Sequence, residues 1–207
     1  MRRRGWSLCR RHRRSSSLPS LVLRCGVLRP TSEQSLLLQA LQDEVFERMQ
    51  SMEAWNGADF VVLRSIPLGV LRQGTVRRHG VTRWVRGVRP DALRPEDVRV
   101  IDLHPSLLTP EWWGYAGFVL HHELIHATGH RRHDAAFRRW ETLWPAPPED
   151  RGAASFAKML HLSTARWWWT CPSCDIKHPR QRRGNGRYLC RQCGVVLQDT
   201  PAKEAMA

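Results

Sequence analysis

Five of the ten histidines fall within thirteen residues, His121-His122-Glu-Leu-Ile-His126-Ala-Thr-Gly-His130-Arg-Arg-His133. At their centre, His122-Glu123-Leu124-Ile125-His126 has the form HExxH. Helical residues four apart share a face, so His122 and His126 can both reach one metal, with Glu123 beside the water that the metal activates. Zinc in such a site lowers the pKa of that water toward about 7 and polarises a carbonyl, while the glutamate moves a proton to the leaving amine. The chemistry suggested is hydrolysis of a peptide bond. A catalytic zinc also needs a third protein ligand and one open position. His130 continues the four-residue repeat, but on an unbroken helix it lies about 12 Å along the axis from His122. Nitrogens each about 2.0–2.1 Å from one zinc cannot be more than about 4 Å apart. A helix break at Gly129 favours His133. His130 serves only if the helix stops directly after His126, and Glu141 and Glu149 are the downstream carboxylate alternatives. His121 is expected to face away from the metal.

A second constellation lies near the C-terminus. Cys171-Pro-Ser-Cys174 and Cys190-Arg-Gln-Cys193 are 15 residues apart, the spacing of a four-thiolate structural zinc site on two knuckles. Four thiolates close the coordination sphere, so this zinc is expected to hold structure and not to catalyse. Around it stand Lys177, Arg180, Arg182, Arg183, Arg187 and Arg191, with Trp167, Trp168 and Trp169 just before. Basic groups beside aromatics can contact a nucleic-acid backbone and stack on unpaired bases. Equally, the tryptophans can seat the ribbon on the rest of the chain while the arginines are simply solvated.

Elements must hold these groups in place. Apolar residues at helical spacing (Leu37, Leu41, Val45, Met49) predict a helix opened by Thr31 or Ser32 and stopped at Asn56-Gly57. Short β-like runs follow at 60–63, 70–76, 81–88 and 98–103, with His79-Gly80 read as a hairpin turn. Together they predict a small, mostly antiparallel sheet. Thr109-Pro110-Glu111 opens the long helix that carries the histidines. Asp134 caps a further helix through Phe137 and Trp140, and an amphipathic stretch runs over 153–162. The expected organisation is α+β: a basic arm or targeting segment (1–30), a body (31–165), a zinc ribbon (166–197) and a tail (198–207).

The chain has 207 residues and a formal charge of +14, and the charge is unevenly placed. Residues 1–32 hold nine arginines and no acid; 33–165 balance 16 basic against 16 acidic residues; 166–207 set eight against three. Phosphate attraction therefore belongs to the ends and not to the neutral body. Thirty of the 33 basic residues are arginine, which suits phosphate forks but is also what a GC-rich genome supplies. No apolar run approaches the roughly 20 residues of a membrane helix. A thiolate site fits a reducing compartment, so an intracellular setting is expected, cytoplasmic or nucleoid-associated, or organellar if the arm is a transit peptide.

The stretches Ile101-Asp-Leu-His-Pro-Ser-Leu-Leu108, Phe118-Val-Leu-His-His-Glu-Leu-Ile-His-Ala127 and His133-Asp-Ala-Ala-Phe137 resemble the SprT-like zinc metalloproteases. This family includes Spartan and is related to the WLM-type proteases of DNA–protein crosslinks. The chain departs from the SprT pattern in two respects: Asp134 replaces the usual glycine, as in the WLM variant, and the interval from His126 to His133 is short. The resemblance covers roughly 31–197. It implies a minimal zincin-like domain with Glu123 as general base and His122, His126 and His133 on a catalytic zinc. It also implies a structural zinc in the ribbon, a protein substrate, and DNA, especially single-stranded, as a partner. Two other functions compete with this one: a degenerate peptidase fold that only binds, and a zinc-ribbon nucleic-acid factor that leaves the neutral body without a role.

Overall fold

The computed structural model describes residues 28–89 and 91–202. Most of the basic arm, and 203–207 of the tail, lie outside the described residues. Helix α1 (Ser32–Gln50) opens on a capping box: the Thr31 hydroxyl accepts from the Gln34 N–H at 3.1 Å, and the Gln34 side chain accepts from the Thr31 N–H at 3.0 Å. Its inner face buries Leu38, Leu41, Val45, Phe46 and Met49. The apolar run at 60–63, expected as a strand, is instead the start of helix α2 (Phe60–Ser65). The Asp59 carboxylate accepts from the Val61 and Val62 amides at 3.0 and 3.1 Å, and this cap overrides the β-branched propensity of the run.

Three strands, β1 (Leu68–Val70), β2 (Gly80–Trp84) and β3 (Val98–Leu103), form a sheet in the order β1-β3-β2. Strand β1 is parallel to β3, with Leu68 opposite Ile101, and β2 is antiparallel to it, with Val81 opposite Asp102. The hairpin read at His79-Gly80 is therefore absent, because its two strands both pair with β3 and not with each other. The strand order follows from burial: all of β3 except Arg99 is buried, so it takes the centre.

Helix α3 (Trp113–Ala127) begins three residues later than expected. Thr109 does not cap it; its hydroxyl donates to the Ser106 carbonyl at 3.4 Å, and Thr109-Pro110-Glu111 form a turn before the helix. The helix runs through the core, with α1 and the sheet packed around Ala116, Leu120 and Leu124. Helices α4 (Ala135–Glu141) and α5 (Ala153–Ser163) complete this part. A second sheet joins β4 (Trp167–Thr170), β5 (Lys177–Arg180) and β6 (Gln198–Pro201), antiparallel in the order β5-β4-β6. Strand β6 lies in the stretch read as tail. Its polar sequence hid it, and Asp199 ties it down by accepting from the Gly184 and Asn185 amides at 2.7 and 2.8 Å. The chain is thus a mixed α+β protein with two small sheets. No described helix is long and apolar enough to cross a membrane.

Candidate metal centres and cleft

Helix α3 brings His122 and His126 to one face, one turn apart. It ends at Ala127, and Gly129 takes a φ of +99°, a left-handed conformation that lets the chain double back. The returning segment delivers His133, after which Asp134 caps α4 by accepting from the Phe137 amide at 3.0 Å. Phe137 is fully buried, and its ring centroid lies 4.8, 4.6 and 4.7 Å from those of His122, His126 and His133. One aromatic ring thus supports all three imidazoles.

One ring nitrogen of each of these histidines lies within 4.8 Å of the other two, a grouping that could hold a metal ion. The Nε2 atoms of His126 and His133 are 3.1 Å apart. The outer nitrogens are occupied elsewhere: His122 Nδ1 contacts Glu141 Oε1 at 2.7 Å, and His126 Nδ1 contacts the His130 carbonyl. Such outer partners fix the tautomer and aim Nε2 inward. Burial lowers the pKa of His122, and lowers that of His126 to about 4, so both rings are neutral, as metal ligation requires.

The alternative ligands sort themselves by position. Glu141 touches the outer nitrogen of His122. His130 offers its backbone carbonyl, while its ring centroid lies 5.9 Å from that of Trp140. Glu149 is exposed in a short turn and outside the grouping. His121 is buried, stacked on Trp144, and accepts from the Trp55 indole N–H at 3.2 Å, so it packs the core.

Glu123 is only 6% exposed, and the Thr82 hydroxyl lies 2.8 Å from its Oε2 and 2.9 Å from its backbone carbonyl. Burial pushes its carboxyl up to about 7, although the Thr82 hydrogen bonds oppose the shift. Gly80 makes this proximity possible: a Cβ there would stand 2.8 Å from both the Glu123 side chain and Val119. Only a glycine lets β2 settle this low on α3. Above the histidines opens a cleft of about 700 Å³. At its wall, His79 Nδ1 and the Tyr115 hydroxyl are 2.7 Å apart. The sequence reading missed Thr82, Gly80, His79 and Tyr115. The alternation Gly80-x-Thr82 on a strand was the one available signal, and it carries weight only once the strand's neighbour is known.

Cys171, Cys174, Cys190 and Cys193 form the second grouping that could hold a metal ion, with sulfurs within 4.8 Å of one another. The two knuckles are built alike. Asp175 N–H donates to the Cys171 carbonyl at 3.0 Å and Gly194 N–H to the Cys190 carbonyl at 2.9 Å. Asp175 and Gly194 have φ of 57° and 67°. The Cys193 and Gln192 amides lower the Cys190 thiol to about 7, toward the thiolate that a metal needs. A structural zinc held by these four thiolates would supply the folding free energy of a module this small. Accordingly, Cys174→Ser or Cys190→Ser should melt the ribbon while the α3 histidine cluster keeps its metal. Zinc content of one per chain, with a circular-dichroism melt that retains the main transition, would show this.

The six basic residues of the ribbon are all exposed. Arg183 lies over the Trp167 ring at 4.1 Å and Arg180 over Trp169 at 4.9 Å, while Trp169 stacks on Tyr188 at 4.2 Å. Trp169 also packs against the Cys171, Cys190 and Leu197 cluster, so it belongs to the ribbon's own core. Lys177, Arg187 and Arg191 are placed on the same small module, and the Arg182 carbonyl accepts from the Trp169 indole N–H at 3.0 Å.

No family model, curated protein or solved structure matches the chain. What the chain itself defines is an α+β protein with a three-histidine grouping and a four-cysteine grouping, each able to hold a metal ion.

Proposed function

We propose that this chain is a zinc-dependent endopeptidase of the SprT-like, zincin-related kind. The reading rests above all on the convergence of one ring nitrogen from each of three histidines beside a buried glutamate, under the outer strand of a sheet. His122, His126 and His133 would hold one zinc and the four cysteines a second. Three imidazoles, two of them with their outer nitrogens already engaged, suit a catalytic zinc with an open position, and four thiolates suit a structural one. Zinc at the histidines supplies Lewis acidity toward a water and a carbonyl.

The chain's own groups do the rest. Glu123 takes a proton from the water as its oxygen bonds to the carbonyl carbon, then delivers it to the amine nitrogen as the C–N bond breaks, leaving a carboxylate and an amine. Thr82 holds the Glu123 carboxylate from behind. Strand β2 is at the sheet edge, and the His104 amide donating to the His79 carbonyl at 2.7 Å fixes its alternation. The backbone groups of Gly80 and Thr82 therefore point away from β3, free to pair with an extended substrate.

A reducing, intracellular setting suits the free thiols. A second role, single-stranded nucleic-acid contact at the ribbon, is supported by the Arg180, Arg183 and Tyr188 side chains layered on two tryptophans. It would direct the enzyme to DNA-associated proteins. The test is cleavage of an unfolded protein such as casein. Chelation should abolish it and added zinc restore it; cleavage untouched by chelation, or none at any zinc level, overturns the peptidase reading in favour of a binding protein.

A further inference from the structure

We infer that the cleft selects polypeptides carrying acidic side chains beside the bond to be cut, and that Arg77, Arg78 and Arg131 are the residues that select them. This deepens the peptidase reading and rests on it. All three line the cleft: Arg77 and Arg78 come from the segment just before β2, and Arg131 from the segment just after α3. All three are exposed, and none meets a carboxylate among the described residues. The lining includes two acids, and both are engaged: Glu123 is buried against Thr82, and Glu141 holds His122. The body as a whole is electrically neutral, so this concentration of unpaired arginines is local.

The basic surface also continues past the cleft. A hollow of about 350 Å³ shares Arg77 and Arg78 and adds Arg72 and Arg83. Arg83 is already paired with Asp102, which leaves Arg72 to extend the track. A peptide is a better fit than nucleic acid. Phe118 and Val119 line the cleft together with the arginines, and the edge strand β2 contributes Gly80, Val81 and Thr82 to the same lining. An extended peptide can pair with that strand edge while its acidic side chains meet the arginines, whereas stacked bases would leave the strand's amide groups unmatched.

An exposed guanidinium–carboxylate contact changes an equilibrium by up to about fivefold, so three together should give roughly tenfold or more. The experiment compares peptides sharing one scissile core and flanked by glutamate, glutamine or lysine. The wild type should cleave the glutamate peptide with kcat/KM about tenfold above the glutamine peptide and further above the lysine one, the margin shrinking as salt rises. In Arg77→Glu/Arg78→Glu/Arg131→Glu the order should invert; in the milder triple change to Gln it should level. Circular dichroism and zinc content check that both variants fold. Equal cleavage of all three peptides by the wild type, or an order unchanged in the variants, overturns the inference while leaving the peptidase reading intact. Binding of the same peptides to Glu123→Gln, read by fluorescence anisotropy, separates the two failures. A glutamate preference there that disappears in the arginine variants supports the acidic cleft even without turnover, and no preference sinks it. If the arginine changes abolish binding of an oligothymidine strand and leave the peptide order alone, the arginines serve nucleic acid and the inference falls.

Discussion

Replacing Glu123 by Gln should reduce peptide-bond cleavage by a factor of at least about 10²–10⁴, the range over which a positioned proton-transfer group acts, while both metals stay bound. The side chain contributes no ligand atom to the histidine grouping, so zinc content should remain at two per chain. Nor should the fold suffer. An amide in the same place still offers an oxygen to the Thr82 hydroxyl, now 2.8 Å from the carboxylate. A buried amide is also less costly to desolvate than a buried carboxylate, so the melting temperature should be no lower. The measurement is kcat on casein or a peptide, together with metal content and a thermal melt of the same preparation. Cleavage that persists with contaminating proteases excluded would remove Glu123 from the mechanism. Loss of one zinc in this variant would instead make it a ligand.

Much of the histidine site was legible because two periodicities coincide. The four-residue spacing of His122 and His126 falls inside an apolar helix whose own repeat buries Ala116, Leu120 and Leu124. The same holds for Gly129, Asp134 and Phe137, whose roles as stop, cap and anchor follow from local backbone chemistry. What escaped depends on contacts distant in sequence. Residues 60–63 look like a strand until Asp59 is seen to cap them. The pairing of β1 and β2 with β3 is decided by which strand the body buries completely, and no local pattern states that. Thr82 reaches Glu123 across 41 residues of sequence, and Glu141 reaches His122 across 19. The sequence offers Glu141 only as a possible metal ligand and Thr82 only as an alternation on a strand, and neither pattern states which side chain it reaches. Strand β6 was hidden for a different reason: Gln-Asp-Thr-Pro has no apolar alternation, and it pairs because Asp199 is held by two amides.

The second large effect concerns the third ligand. His133→Ala should lower affinity at the histidine site by orders of magnitude, whereas His130→Ala should leave it almost unchanged. The difference is one of atoms. His133 brings its own Nε2 to within 3.1 Å of that of His126. His130 contributes only a backbone carbonyl, which an alanine in its place still supplies to His126 Nδ1. His133 is also solvent-exposed, so its loss opens no core cavity, and the backbone contact from Arg138 Nε to its carbonyl at 3.3 Å survives the change. Glu141→Gln should fall between the two, with affinity reduced about 10–100-fold, because it alters only the acceptor behind His122. A competitive chelator titration on intact protein resolves the sites, the cysteine zinc serving as internal standard. Should His130→Ala release one zinc while His133→Ala retains both, the turn at Gly129 does not do what its geometry implies, and the peptidase centre must be assembled from a different third group.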